Sequence, residues 1–263
     1  MKKKLIIFDM DGTVNLEDKL IDGALDAFNY LKENNIRFLF FTNNSSHVLD
    51  FYQKRMSLLG IECNVEDNFY SSTEVMVDYL KHNHIHKIFV VGNKCFRDAL
   101  SKDFFLVDQF DKNNQIDAVV AGFSTELVYV EIRDACLYLQ NQDIPFLATN
   151  GDFRCPIKDG LFIPDCGSMC EVIKLCTGKS PLFLGKPNPE IIDFIGERYG
   201  ATKEEMMVVG DRLYTDILIG VNAGIDSVCV LTGEATKEDI EKSDYKPTYV
   251  LDSVKDLPNL LRR

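Results

Sequence analysis

The stretch LIIFDMDGT, residues 5–13, is the most informative segment of the chain. Its apolar part, Leu5–Phe8, predicts a short buried strand, and Asp9 and Asp11 follow it directly. Residues two apart in a strand point to the same side, so the two carboxylates are expected to lie close together. Such a pair is unfavourable unless a cation neutralises it or one member holds a proton. A simple Asp-Gly turn is the alternative for this stretch alone.

Composition limits the classes of function. The chain has 263 residues, 46% of them hydrophobic, which is enough for a sizeable core. A net charge of -12 argues against nucleic-acid binding, which depends on lysine and arginine clusters, but leaves a small phosphorylated substrate open. The apolar start of the chain ends at Asp9, too early for a signal peptide, and no run approaches the roughly 18 residues of a membrane span. We expect a cytoplasmic protein that binds neither nucleic acid nor membranes.

Cysteine and histidine clusters raise the question of a metal site. Four of the eight cysteines lie close together in sequence: Cys155, Cys166, Cys170 and Cys176. Their spacing is not the paired spacing of zinc knuckles, and Cys176 continues a helical apolar stripe, which predicts a buried core thiol. The HNHIH tract at residues 82–86 lies between a predicted helix and a predicted strand, where a solvated turn is expected. Reduced thiols are therefore favoured over a zinc site.

Short apolar runs alternate with helix-length segments along the chain. The runs are LIIF, RFLFFT, KIFVVG, DAVVAG, PFLATN, MMVVGD and DSVCVL. An apolar stripe at residues 24–31 predicts one intervening helix, and residues 46–59 predict another that ends at Gly60. This alternation predicts an α/β fold with a doubly wound parallel sheet and helices on both of its faces.

The middle of the chain predicts an inserted domain. The segment from about residue 77 to residue 180 contains strand–helix units of its own. We therefore expect residues 1–76 and 181–263 to form a core, with 77–180 as a smaller α/β insertion.

Polar clusters follow three of the predicted core strands. Asp9 and Asp11 follow the first, Thr42 closes the second with two asparagines after it, and Asp211 follows a third. Ligands of open parallel sheets bind outside the carboxyl ends of the strands, so these clusters are expected to share one crevice.

The acidic residues of these clusters suit magnesium. Mg²⁺ prefers oxygen ligands and usually takes one or two carboxylates together with water and substrate phosphate. Asp9 and Asp11 supply such a pair, Asp211 a third oxygen source, and Asp216 could orient the site from outside. An EF-hand calcium loop does not fit, because its glycine stands at position six, whereas Gly12 stands at position four.

The same set suits transfer of a phosphoryl group. One carboxylate can attack phosphorus, and a second carboxyl group can donate a proton to the leaving oxygen. Backbone amides can approach the phosphate at Gly12, and Thr42, Asn43 and Asn44 can bind its oxygens. Lys186, just before a predicted helix, can offset the negative charge.

These residues resemble a known family. DMDGT, Thr42 with its two asparagines, Lys186 and GDRLYTD at residues 210–216 resemble, in order, the four motifs of the haloacid dehalogenase-like (HAD) phosphatases. The TNN triplet, ATNGD at 148–152, PDCGS at 164–168 and GKPNPE at 185–190 are similar to the NagD-like subgroup. The resemblance covers nearly the whole chain. It implies a Rossmann-like core with a large α/β cap that coincides with the insertion at 77–180.

The resemblance also implies roles for the site residues. Asp9 would be the nucleophile, Asp11 the general acid and base, and Thr42 and Lys186 would hold the phosphoryl group. Asp9, the main-chain carbonyl of Asp11, and Asp211 would bind Mg²⁺. The implied reaction is hydrolysis of small phosphomonoesters, such as sugar phosphates or nucleoside monophosphates, through an aspartyl phosphate.

Three departures from the subgroup pattern leave the substrate open. Ser124 stands where the subgroup often has Asp, Gly151 where it often has Pro, and Tyr214 at a variable position of the fourth motif. The oligomeric state is open too, a homodimer included. The alternatives are a phosphomutase and a phospho-ligand sensor that has lost turnover. A dehalogenase is disfavoured, because its second Asp would have no leaving oxygen to protonate.

Overall fold

The structure is a computed structural model that describes residues 3–16, 18–157 and 161–262. Within these residues the strands are β1 (Leu5–Phe8), β2 (Asn15–Leu16), β3 (Lys19–Leu20), β4 (Arg37–Thr42), β5 (Phe69–Ser71), β6 (Lys87–Val91), β7 (Phe105–Val107), β8 (Ala118–Ala121), β9 (Phe146–Ala148), β10 (Arg154–Pro156), β11 (Phe162–Pro164), β12 (Leu182–Phe183), β13 (Met206–Gly210), β14 (Asp226–Val230) and β15 (Tyr249–Leu251).

The α-helices of the described residues are short; all but the last lie between these strands, and the last follows β15. They are α1 (Ala24–Glu33), α2 (Leu49–Leu58), α3 (Val65–Asn68), α4 (Ser72–His82), α5 (Lys94–Leu100), α6 (Tyr129–Asn141), α7 (Cys166–Thr177), α8 (Glu190–Tyr199), α9 (Leu218–Ala223), α10 (Lys237–Lys242) and α11 (Leu257–Leu261). In the part of the chain that the structure describes, no helix combines the length and apolar character that crossing a membrane requires.

The chain divides into two compact units. The first comprises the chain up to Thr42, Leu49–Tyr70, and the chain from Lys186 onward; the second comprises Asn43–Val48 and Ser71–Gly185. Each contains a parallel sheet with helices, so the predicted α/β class is confirmed. The insertion expected at 77–180 falls inside the second unit, and its function as a cap stays a prediction.

A six-stranded sheet forms the centre of the first unit. Its strand order is β15-β14-β13-β1-β4-β5, and the strands from β15 to β4 run parallel. In the register of this sheet Phe8 lies opposite Phe40 on β4 and Val209 on β13. The residues that follow β1 and β13, and the last residues of β4, therefore share one edge of the sheet.

A phenylalanine cluster anchors this sheet. Phe8 of β1 packs against Phe28 of α1 at 4.9 Å between ring centroids, and Phe28 lies 4.8 Å from Phe38. Phe40 completes the cluster, and all four rings are buried. Burial of each such side chain contributes about 1.5–3 kcal/mol, so the strand that precedes Asp9 is firmly fixed.

The first helix of the unit follows its sequence pattern. The stripe expected at residues 24–31 is the buried face of α1, and it consists of Ala24, Ala27, Phe28 and Leu31. This spacing of three and four residues puts the four side chains on one side of the helix.

Helix α2 begins three residues later than expected. The helix predicted at 46–59 covers Leu49–Leu58. Asn44 explains the late start, because its Oδ1 accepts from both the main-chain N–H and the hydroxyl of Ser46. Such local side-chain bonds compete with helical ones. Gly60, with a φ of 94°, adopts the left-handed conformation that commonly follows a helix.

The second unit has its own five-stranded parallel sheet. The order is β12-β9-β8-β6-β7, and β10 and β11 form a separate antiparallel pair. Helices α6 and α7 contribute Ala135, Leu139, Met169 and Ile173 to a core against this sheet.

The prediction that Cys176 is a core residue is wrong. Cys176 is exposed, and Cys166 and Cys170 are the buried thiols of α7. The last turn of this helix leaves the core, where neighbouring Leu175 is also largely exposed. No disulfide links the eight cysteines, all of which lie in the described residues.

Candidate active site

Three predicted site residues lie at the carboxyl ends of neighbouring strands. Asp9 follows β1, Thr42 is the last residue of β4, and Asp211 follows β13. The main-chain N–H of Asp9 donates to the carbonyl of Val209 at 2.9 Å, which continues the sheet up to the site. The parallel sheet thus brings together residues that are about 200 positions apart in sequence.

An acidic cluster lies at this edge. One carboxylate oxygen from each of Asp9, Asp211 and Asp216 lies within 4.8 Å of the others. Asp211 is 2% exposed and Asp216 is fully buried. Burial, followed by repulsion from Asp9 and Asp216, raises the pKa of Asp211 to about 7. The cluster concentrates negative charge that a cation would stabilise.

The described residues were compared for other possible metal sites. Among residues 3–16, 18–157 and 161–262, Asp9, Asp211 and Asp216 form the one group of three or more carboxylates, thiols or imidazoles that lie close enough together to share an ion. Neither the cysteine cluster nor the histidine tract forms such a group in these ranges.

Lys186 provides a buried cation beside the cluster. Its Nζ donates to Oδ1 of Asp9 and to Oδ1 of Asp216, both at 2.6 Å, and to the carbonyl of Phe41 at 3.3 Å. Burial alone would lower the pKa of Lys186, but the carboxylates of Asp216 and Asp9 outweigh it and raise the pKa. Lys186 therefore stays charged and offsets part of the negative charge.

Asp216 lies in the cluster itself. The sequence predicted that Asp216 orients the site from outside the ligand set. In the structure one oxygen binds Lys186 and the other accepts the main-chain N–H of Arg212 at 3.1 Å. Lys186 is consequently held by two carboxylates, Asp9 and Asp216, and has little freedom to move.

Three glycines make room for the buried carboxylates. A Cβ at Gly12, whose φ is 89°, would lie 2.5 Å from Oδ2 of Asp211, and one at Gly233 would lie 1.9 Å from the same atom. A Cβ at Gly210 would lie 2.2 Å from Cβ of Asp216. Because real Cβ atoms do not approach so closely, the position of each carboxylate depends on these glycines.

Gly233→Ala should displace Asp211. The added methyl would overlap its carboxylate. For the metal-dependent phosphatase expected from the sequence, we predict that activity falls by about 10–100-fold and that half-maximal activity needs more Mg²⁺. The measurement is a Mg²⁺ titration of phosphate release. Gly224→Ala is the matched control: its Cβ meets open space, and it should leave the Mg²⁺ requirement unchanged despite a strained φ of 71°. An unchanged Mg²⁺ requirement in Gly233→Ala would contradict this account.

Two hydrogen bonds to Asp211 and one to neighbouring Gly12 were not predicted from the sequence. The hydroxyl of Thr13 donates to Oδ1 at 3.1 Å, and the main-chain N–H of Glu234 donates to Oδ2 at 2.8 Å. The hydroxyl of Thr232 donates to the carbonyl of Gly12 at 2.7 Å. A signal was present, since LTGE at residues 231–234 follows β14 as the other polar clusters follow their strands.

Asp11 has a different environment from Asp9. Its carboxylate is 56% exposed and forms an ion pair with Arg55 of α2 at 2.8 Å. The pair predicted to share one site therefore consists of one half-buried acid beside Lys186 and one exposed acid beside an arginine.

The two asparagines after Thr42 belong to the second unit. The side-chain amide of Asn43 donates to Asp152 at 3.3 Å. The main-chain carbonyl of Asn43 accepts a hydrogen bond from the hydroxyl of Ser72 at 2.7 Å. Asn44 caps the turn before α2 through its bonds to Ser46. Their role in phosphate binding stays a prediction, as does that of Thr42.

Magnesium fits the donor set of the first unit. The cluster offers hard carboxylate oxygens, which Mg²⁺ prefers over nitrogen and sulfur. Burial, followed by repulsion from Asp9 and Asp216, raises the pKa of Asp211, and a bound cation would favour its charged form. Asp9 and Asp211 thus offer suitable ligand oxygens, and Asp216 lies beside them.

The fold and this site define a hydrolase of the α/β class with an acidic centre. Residues 6–103 match the family described as haloacid dehalogenase-like hydrolase, and residues 183–257 match the HAD-hydrolase-like family. An acid sugar phosphatase of Staphylococcus saprophyticus is 30% identical over 98% of this chain and 97% of its own length.

Solved structures agree with these matches. A 4-nitrophenylphosphatase of Thermotoga maritima has a TM-score of 0.90 and 40% identity, covering 98% of this chain and 97% of its own. NagD of E. coli K-12 has a TM-score of 0.87 and 28% identity, covering 97% and 98%. The chain belongs to the haloacid dehalogenase-like hydrolase family, in its NagD-like subgroup. It is an enzyme of the phosphatase class, and the family prediction is confirmed.

Proposed function

We propose that this enzyme is a Mg²⁺-dependent phosphatase that hydrolyses small phosphomonoesters through an aspartyl phosphate on Asp9. The observation that carries the proposal is the position of Asp9, at the carboxyl end of β1, in the acidic cluster and 2.6 Å from Lys186. A nucleophile beside a fixed cation is the arrangement that attack on an anionic phosphoryl group needs.

The first half of the reaction forms the covalent intermediate. Lys186 engages Oδ1 of Asp9, so we assign the attack on phosphorus to Oδ2. The Asp9–phosphorus bond forms while the bond from phosphorus to the leaving oxygen breaks. Asp11 donates a proton to that oxygen, which leaves as a neutral alcohol.

The second half releases inorganic phosphate. Water attacks phosphorus, Asp11 takes up one of its protons, and the bond between phosphorus and Asp9 breaks. Both carboxyl groups then return to their starting protonation states, so one residue acts as acid and then as base.

Charge balance explains the need for a metal. Asp9, Asp211 and Asp216 face the cations of Lys186 and Arg212, and a bound phosphate adds about -2. We assign Mg²⁺ to Asp9, the main-chain carbonyl of Asp11, and Asp211. When bound, the metal neutralises negative charge on the phosphoryl oxygens.

The proposal extends to substrate class and location. Relatives named for sugar phosphate and 4-nitrophenyl phosphate support small phosphomonoesters as substrates. Thr42, Gly12 and the two asparagines after Thr42 would contact the phosphate. Eight cysteines without a disulfide between them support a reducing, cytoplasmic environment. A homodimer stays a prediction.

A phosphate-release screen tests the proposal. The purified enzyme is incubated with a panel of sugar phosphates, nucleoside monophosphates and 4-nitrophenyl phosphate, with Mg²⁺ or with EDTA. We expect release from several compounds with Mg²⁺ and a loss of at least about a hundredfold in EDTA, restored by added Mg²⁺. Full activity in EDTA would refute the metal requirement. Transfer of the phosphoryl group within a sugar without release would indicate a mutase instead.

A further inference from the structure

Arg55 binds the carboxylate of Asp11 with two nitrogens. Its Nη2 donates to Oδ1 at 2.8 Å and its Nη1 to Oδ2 at a longer 3.4 Å. The side chain of Arg55 is 22% exposed, far less than that of Asp11. The guanidinium is therefore the more firmly held partner.

Asn15, four residues after Asp11 in the sequence, binds the same carboxylate. Its side-chain amide donates to Oδ1 of Asp11 at 2.9 Å. Asn15 is fully buried, and main-chain bonds to Met10 and Gly12 hold it in place. Among the described residues, Oδ1 of Asp11 thus accepts two short hydrogen bonds, and Oδ2 accepts the longer contact from Arg55.

Helix α2 gives Arg55 a rigid support. Tyr52 and Met56, on either side of it in sequence, are buried in the core of the first unit. The amide of Gln53 donates to the carbonyl of Cys63 at 3.3 Å and ties the helix to the segment that follows. The position of Arg55 is consequently set by the core.

We infer that Arg55 is a positioning residue that, together with Asn15, fixes Oδ1 of Asp11 and thereby assigns proton transfer to Oδ2. The inference rests on the proposed role of Asp11 as acid and base. A guanidinium can only donate hydrogen bonds, so Oδ1 stays an acceptor whether or not the carboxyl group carries its proton. The mobile proton is then confined to Oδ2.

This role has a kinetic signature. The proton moves from Oδ2 of Asp11 to the leaving oxygen while that oxygen separates from phosphorus and Asp9 bonds to phosphorus. A poor leaving group depends strongly on this proton, and a good one depends on it little. Loss of Arg55 should therefore slow poor leaving groups selectively, whereas general damage to the site would slow all substrates alike.

The test compares phenyl phosphate with 4-nitrophenyl phosphate, which share a ring but differ in leaving group. For Arg55→Met we expect kcat/KM for phenyl phosphate to fall at least about tenfold more than for 4-nitrophenyl phosphate. Asp11→Asn should show the same selectivity more strongly. Arg55→Lys keeps the positive charge but loses the two guanidinium nitrogens that bind the carboxylate together, so the selectivity of this variant should be intermediate.

The controls separate the positioning role of Arg55 from the proposed acid role of Asp11. Lys54→Met removes an exposed positive charge from the neighbouring position of α2 and should leave both substrates unchanged. The ratio of the two kcat/KM values is independent of the folded fraction, so it is readable even in a destabilised variant. Equal losses for both substrates in Arg55→Met, or no loss, would overturn the inference while Asp11→Asn stays selective. An equal loss in Asp11→Asn would overturn the proposed acid role and the inference with it.

Discussion

Asp9→Asn is expected to lower phosphate release by at least about a thousandfold while the protein remains folded. The amide has nearly the shape of the carboxylate, but it cannot form the phosphoryl bond on which turnover depends. It also removes one negative charge from the cluster with Asp211 and Asp216. The melting temperature should therefore change by only a few degrees, because relief of repulsion offsets the weaker bond to Lys186.

A second aspartate provides the matched control for this variant. Asp193 lies on the exposed surface of α8, where it pairs with Lys203 at 2.8 Å. Asp193→Asn makes the same chemical change away from the site and should retain full activity, since surface ion pairs contribute little. The measurement is phosphate release with saturating Mg²⁺, normalised to folded protein. Full activity in Asp9→Asn would show that Asp9 is not the nucleophile.

Lys186→Met is expected to affect both stability and activity strongly. It would leave Asp9 and Asp216 without the cation that binds each of them at 2.6 Å. Removal of one partner from a buried ion pair typically destabilises a protein by about 3–5 kcal/mol. Activity per folded molecule should fall at least about a hundredfold, because the variant lacks the charge that holds the phosphoryl group.

Two further variants separate these effects. Lys186→Met combined with Asp216→Asn neutralises one stranded charge and should recover part of the stability but none of the activity. Lys3→Met removes another buried lysine, paired with Asp226 at 2.7 Å, and should destabilise the protein while sparing activity per folded molecule. Denaturant unfolding and phosphate release measure the two properties. A stable Lys186→Met variant, or an active one, would contradict the assigned role.

The strands were the most predictable part of the fold. The apolar runs at Leu5–Phe8, Arg37–Thr42 and Met206–Gly210 are strands of one parallel sheet. Buried parallel strands need continuous apolar residues, so their signal survives in a single sequence. Edge strands such as Tyr249–Leu251 carry a weaker pattern, because they are only partly buried.

Helix ends and helix faces were less predictable. The start of α2 depends on two hydrogen bonds that Ser46 donates to Oδ1 of Asn44, which compete with helical bonds at the same place. The exposure of Cys176 depends on where α7 leaves the core, and spacing alone does not define that point.

The acids of the candidate site were predictable from the sequence, but the residues that hold those acids in position, such as Gly233 and Arg55, were not. Asp9 and Asp211 follow strand ends, and topology brings them together. The approach of Gly233 to Asp211 depends on the path of a loop after β14, which leaves only a weak polar signal. Arg55 gave no signal, because its partner lies 44 residues away and is reached through the fold.

The central claim is that Asp9 carries the phosphoryl group during turnover. The most direct measurement is an acid quench during turnover of 4-nitrophenyl phosphate with Mg²⁺, followed by borohydride reduction and peptide mass spectrometry. An aspartyl phosphate is reduced to homoserine, so we predict homoserine at position 9, dependent on substrate and absent from Asp9→Asn. Unmodified Asp9 under steady turnover, or homoserine at Asp11 instead, would contradict the account.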